Sequence, residues 1–260
     1  MISGKERTLD LILLAWTGIG AVIFAALFIM WWPPGPTLGV AWSPERMFLQ
    51  GIGAITIWIP LWLLGCNQYF KHKEWMAADE GEDYDPKKKY KIWTTRRVVS
   101  SAIMIAMTGA CGVLPASVFD IAQFTLVFGA TFFDPMVGAL GMMFGNMLMR
   151  APLGGSFNPF MIAGWMFTDA FSCAWVGYLY SRWVRFETDK RKRYLRLIMV
   201  ILIHYNLTVA CWNENWDIVP NPMPGLVYTL TIARVAFMTH CMTAGIAAFL
   251  CCEAGQKYKK

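Results

Sequence analysis

Long stretches without any charge constrain this chain more than any other feature of it. The first, residues 11–32, holds not one acidic or basic side chain over 22 positions. As a helix rising about 1.5 Å per residue, such a run crosses the roughly 30 Å hydrocarbon core of a bilayer. It is too long for the ~7–15-residue apolar region of a secretion signal and ends without a small-x-small cleavage pattern, so it reads as a retained helix. Further apolar runs follow at 47–70, 98–119, 121–133, 135–149, 157–180, 197–212 and 226–252. The expected fold is therefore all-α, a polytopic membrane protein of about eight transmembrane helices. The fourth and fifth runs are short and are separated only by Asp134-Pro135. That pair predicts a turn, because the residue before proline is biased away from helix.

Composition agrees with this reading. Hydrophobic residues make up 57% of the chain and charged residues 15%, against about 45–50% and 25% in soluble domains. This excludes a disordered chain and argues against an ordinary soluble globule. The net charge of +6 does not indicate nucleic acid, because the basic residues are gathered in short segments between apolar runs, as in membrane topology. Twenty of the 23 lysines and arginines lie in the amino terminus, in 71–97, in 182–196 or in the carboxy-terminal tail; only Arg46, Arg150 and Arg234 lie elsewhere. With eight spans those four segments share one face, which the positive-inside rule makes cytoplasmic. A multi-pass cell-membrane protein with both termini inside is expected.

Three regions follow: an amino-terminal helical hairpin (1–70), a charged cytoplasmic linker (71–97) and a six-helix membrane domain (98–260). The linker runs from an acidic half (Glu74, Asp79, Glu80, Glu82, Asp83, Asp85) through Pro86 to a basic half, a block read as solvated. The seven cysteines include no CxxC pair, so neither a disulfide framework nor a zinc site is indicated, and no metal or other cofactor is expected.

Within the six-helix region, Ala102, Ala106 and Ala110 recur at a spacing of four, with Ser101, Gly109 and Gly112 nearby. Such a ladder lies along one helix face and lets a second helix approach closely. The stretch Phe133-Asp134-Pro135 is followed by Gly138, Gly141 and Gly145, which permit tight helix contact. A turn-rich loop after Arg150 ends in Phe157-Asn158-Pro159.

Together these residues resemble the substrate-binding S component of an energy-coupling factor (ECF) transporter, over about residues 97–252. Asp134 stands where that family has glycine, and the first two helices have no counterpart in its minimal design. The resemblance implies a six-helix body capturing a vitamin-like or other small solute in its extracellular half. It also implies that Ala102, Ala106 and Ala110 pack against a membrane coupling subunit, with an ATPase pair supplying the energy. Candidate substrate-binding residues from outward-facing segments are Asn146, Arg150, Asn158, Trp212, Asn213, Glu214, Trp216 and Arg234, with Asp120, Gln123 and Asp217 nearby. They mix aromatic faces with amides and charges, as small-solute pockets do.

Ionisable groups at membrane depth are functional candidates, here Asp169, His204, Arg234 and His240. No phosphate loop, nucleophile elbow or HExxH string occurs, so the chain is not expected to be an enzyme. Two alternatives stand beside transport. One is a structural or accessory subunit of a membrane complex. The other is a metal-binding subunit of a membrane oxidoreductase, using His204, Cys211, His240, Cys241 and the 17 methionines.

Overall fold

The structure, a computed structural model, describes residues 4–30, 48, 51–111, 121–150, 159–208 and 234–256. Among the described residues every regular element is helical and there is no strand. Helix α1 covers Gly4–Met30. A π-helical turn, Ala54–Trp58, leads into α2 (Ile59–Phe70), and the short α3 (Lys73–Glu80) follows. Next come α4 (Thr95–Cys111), α5 (Ile121–Phe128) with a π-helical continuation over Gly129–Phe133, and α6 (Pro135–Arg150). Helices α7 (Pro159–Trp183), α8 (Lys190–Thr208) and α9 (Arg234–Gln256) complete the set.

The break between α5 and α6 falls where the sequence places it, and the reason is local. Asp134 is extended at φ −159°, ψ 168°. Its Oδ1 accepts hydrogen bonds from the Met136 and Val137 amides at 2.8 and 2.9 Å. It thus caps two of the amides that a helix start leaves unpaired, with proline following at the first helical position, where its missing N–H costs nothing.

The glycines of α6 bring the helices together as their spacing suggests. A Cβ on Gly141 would stand 2.5 Å from the Met104 Cβ, and one on Gly145 would stand 2.4 Å from the Thr108 Cβ. Helix α4 therefore packs through Met104 and Thr108 into a groove on α6. Gly138 approaches the Ala130 backbone with equal closeness. Gly145→Val should lower stability by about 1–3 kcal/mol through overpacking. Gly18→Ala, on an open face of α1, should be neutral or stabilising by about 0.5–1 kcal/mol. Thermal unfolding of the two variants in detergent checks both.

The main core lies among α5, α6, α7, α8 and α9, around Leu126, Met142, Tyr180, Ile201 and Phe249. The amino-terminal hairpin does not stand apart from it. Cys66, Tyr69 and Phe70 of α2 pack against Ala174 and Tyr178 of α7, and the Trp175 indole N–H donates to the Leu61 carbonyl at 3.0 Å.

Two details depart from the sequence reading. Segment 71–97 is only partly a solvated linker. Trp75, Met76, Ala77 and Asp79 of α3 are buried, because Trp75 packs between Tyr69 and Tyr178. Helix α8 starts at Lys190, seven residues ahead of its apolar run. Asp189 Oδ1 accepts from the Arg191 amide at 2.9 Å, so the start is set by a cap and the basic residues form the first turns.

Among the described residues, one helix is long and apolar enough by itself to cross a membrane, over Arg7–Leu27. Shorter apolar helical stretches occur at Phe124–Phe133, Pro135–Gly145 and Thr243–Gly255. Large apolar side chains are nonetheless exposed on several helices. Leu11, Ile19 and Val22 of α1, Val98 and Ile103 of α4, Leu148 of α6, Leu195 of α8 and Leu250 of α9 all lie open.

Candidate functional site

Ion pairs link four parts of the chain at one end of the helices. Asp10 near the start of α1 pairs with Lys71 and accepts a hydrogen bond from Asn67 at 2.8 Å. Asp79 of α3 pairs with Arg185, just after α7, at 2.8 Å. Arg193 of α8 pairs with Glu253 near the end of α9. The amino-terminal region, 71–97, 182–196 and the carboxy-terminal region thus meet through side chains far apart in sequence.

Two charged clusters are buried at this end, one around Asp79–Arg185 and one around Arg97–Asp134. In the first, the Tyr69 hydroxyl donates to Asp79, and Arg185 Nη1 donates to the other carboxylate oxygen. Burial pushes the Asp79 carboxyl up to about 6, against the opposing pull of Arg185. Arg185 is held above its usual range: burial works against its charge, but the Asp79 carboxylate prevails.

A carboxyl with a raised folded-state pKa holds its proton more tightly folded than unfolded. Stability is therefore greatest below about pH 4 on this group's account and falls as pH rises toward 6. Asp79→Asn should flatten that slope in unfolding measured between pH 4 and 7.

In the second cluster, Arg97 at the start of α4 reaches three partners. Its Nε donates to Asp134 Oδ2 at 2.6 Å, while its Nη1 donates to the Lys91 and Ile92 carbonyls at 2.9 and 3.0 Å. Both charged side chains are almost wholly buried, 4% and 2% exposed. The guanidinium also lies 5.4 Å from the centre of the Phe70 ring. Burial opposes its charge, yet Asp134 outweighs that and raises its pKa further. Asp134 therefore caps α6 with one oxygen and anchors α4 with the other. Nη2 of Arg97 and Oγ of Ser101, one turn apart on α4, are buried without a hydrogen-bond partner.

Sequence reasoning did not single out Asp79, Arg97, Tyr69 or Arg185. The usable signal was Asp134 before proline, an acid at a helix start with an arginine at another.

The second feature is the outer face of α4. Arg97, Ser101, Met104 and Thr108 are buried, at a helical spacing. Ala102, Ala106 and Ala110 lie on the opposite side and are exposed. The alanine ladder is therefore not used in packing within the described part of the chain, whereas the glycines of α6 are.

The side chains of the expected substrate residues all lie outside the described residues. Asn158, Trp212, Asn213, Glu214 and Trp216 lie outside the described residues, as do Asp120, Cys211 and Asp217. Asn146 and Arg150 fall in the last turns of α6 and Arg234 opens α9, but their side chains lie outside the description, as do those of Gln123, His240 and Cys241. Of the ionisable candidates, Asp169 is partly buried in α7. His204 of α8 is buried and its Nδ1 meets the Ser172 hydroxyl of α7. Among the described residues no group of three or more histidine, cysteine, aspartate or glutamate side chains is placed to hold a metal ion.

No family model, curated protein or solved structure matches the chain.

Proposed function

We propose that the chain is a polytopic α-helical membrane protein acting as the substrate-binding subunit of an ECF-type importer for a vitamin-like or other small solute. The observation that carries this reading is the orientation of α4. Its buried side engages α6 through Arg97, Met104 and Thr108, and its uncovered side presents Ala102, Ala106 and Ala110. A small-residue face left exposed among the described residues is what a membrane coupling helix would pack against. Two further observations support membrane embedding. Large apolar side chains are exposed on several of the described helices, which water would penalise and lipid would not. Ion pairs also join the amino-terminal region, 71–97, 182–196 and the end of α9 near Glu253, which a common cytoplasmic face would bring together.

In this mechanism the solute is captured from outside by the half of the bundle away from the ion-paired end. Release inward is driven by ATP hydrolysis on partner subunits. The chain supplies binding and a docking face, not chemistry. A structural role in another membrane complex would use the same exposed face.

Gentle purification of the tagged chain from its native membrane separates these readings. An importer subunit should bring down a coupling membrane protein with an ATPase pair, and mass spectrometry should find a retained small solute. A stable assembly without an ATPase would favour the structural role.

A further inference from the structure

A cavity of about 210 Å³ opens beside the start of α4, between α3 and the basic half of segment 71–97. It is smaller than the roughly 300–1,000 Å³ of drug-sized ligand sites, a size suited to one compact polar group. Four cations line it (Lys88, Lys89, Lys91 and Arg97) against two carboxylates, Glu80 and Glu82. Those carboxylates are already engaged. Glu82 pairs with Lys88, and Glu80 accepts from the Thr94 hydroxyl at 3.0 Å and lies 3.8 Å from Arg97. Arg97 is also held by Asp134, so the surplus positive charge is that of Lys89 and Lys91, set partly against Glu80.

The helix start adds to that surplus. Thr94 lines the cavity and caps α4, its Oγ1 accepting from the Arg97 amide at 3.3 Å. A helix N-terminus carries partial positive charge and ordinarily attracts acids. The first turn of α4 has none and holds Arg96 and Arg97 instead. Positive side chains, a positive helix end and a small concavity form a complementary site for an anion with several oxygens.

We propose that this cavity binds a phosphate-bearing anion, and that its source is the headgroup of an anionic phospholipid. Ile92 and Trp93, next to Lys91, are exposed, as anchors at headgroup depth are. Beyond them Val98, Val99, Ile103 and Met107 continue the exposed apolar side of α4, where acyl chains would lie. Juxtamembrane basic pockets recognise anionic headgroups in this way. The inference rests on the membrane reading but not on transport.

The test uses the full chain, stripped of lipid in a neutral detergent and titrated with dioctanoyl phosphatidylglycerol, dioctanoyl phosphatidylcholine and glycerol 3-phosphate. Binding is followed by native mass spectrometry. Phosphatidylglycerol should bind at least about tenfold more tightly than phosphatidylcholine, and Lys89→Gln with Lys91→Gln should remove that preference. Both lysines are exposed, so an unchanged melting temperature should show that the double variant folds. Tighter binding of the lipid than of glycerol 3-phosphate supports the headgroup as source; equal binding keeps the phosphate site and assigns it a soluble ligand. No preference for the anionic lipid, or a preference untouched by the double substitution, overturns the proposal. Carbonate extraction of membranes containing the same chain reports separately on the membrane reading. A chain that resists extraction but ignores phosphate defeats this inference alone.

Discussion

Replacing Arg97 with methionine should destabilise the chain by about 3–5 kcal/mol, the usual cost of stranding one member of a buried ion pair. In a chain of this length that corresponds to a fall of roughly 10 °C or more in the thermal midpoint. The loss has two parts. Asp134 would lose its largest compensating partner in a buried setting, and the Lys91 and Ile92 carbonyls would lose the donor that ties the end of segment 71–97 to α4. Arg97→Lys should recover only part of it, since one ammonium cannot reproduce a planar fork reaching a carboxylate and two carbonyls together. Arg97→Met combined with Asp134→Asn should recover more, because the stranded charge disappears while asparagine still caps α6. Tryptophan fluorescence during thermal unfolding in detergent measures all three variants. Equal midpoints for Arg97→Met and the double variant would show that the pair is not coupled.

The second large effect is expected on function. Ala102→Trp with Ala106→Trp should abolish solute uptake in cells while leaving solute binding by the purified chain unchanged within about twofold. The physical basis is distance. Alanine on a helix face allows close backbone approach of a partner helix, and an indole there holds the helices apart. Both positions are exposed, so the substitutions should not disturb the fold, in contrast to Met104 or Thr108 on the buried side of the same helix. Uptake at the normal rate would show that the ladder is not a docking face.

How much of this was legible in advance depended on the kind of interaction involved. Helicity and the break at Asp134-Pro135 were readable because both come from local rules, apolar run length and the backbone restriction before proline. The close contacts of Gly141 and Gly145 were readable because small residues at that spacing have few other uses. The boundary at Lys190 was missed because hydropathy marks where a helix becomes apolar, not where Asp189 caps it. The buried cluster was missed for a different reason. Asp79 meets Arg185 across 106 positions and Arg97 meets Asp134 across 37, and a charge-rich segment gives no local sign of which charges will be buried. Trp75, the one large aromatic residue among the charges of α3, marked the side that packs.

The ion pairs are compatible with the arrangement that the positive-inside argument proposes. Counting lysines and arginines put four segments on one face, and the pairs Asp10–Lys71, Asp79–Arg185 and Arg193–Glu253 join those regions side by side. On the proposed reading, a bundle held in this way would have its basic residues at one membrane surface and its solute entrance at the other.

The most direct test of that arrangement is labelling of native lysines by a membrane-impermeant amine reagent, read by peptide mass spectrometry. Lys88, Lys89, Lys190 and Lys192 are exposed and need no substitution. They should be spared in intact spheroplasts and modified in inverted membrane vesicles, the two segments behaving alike. Modification of one segment but not the other in spheroplasts, or recovery of the labelled chain from the soluble fraction, would contradict the proposed topology.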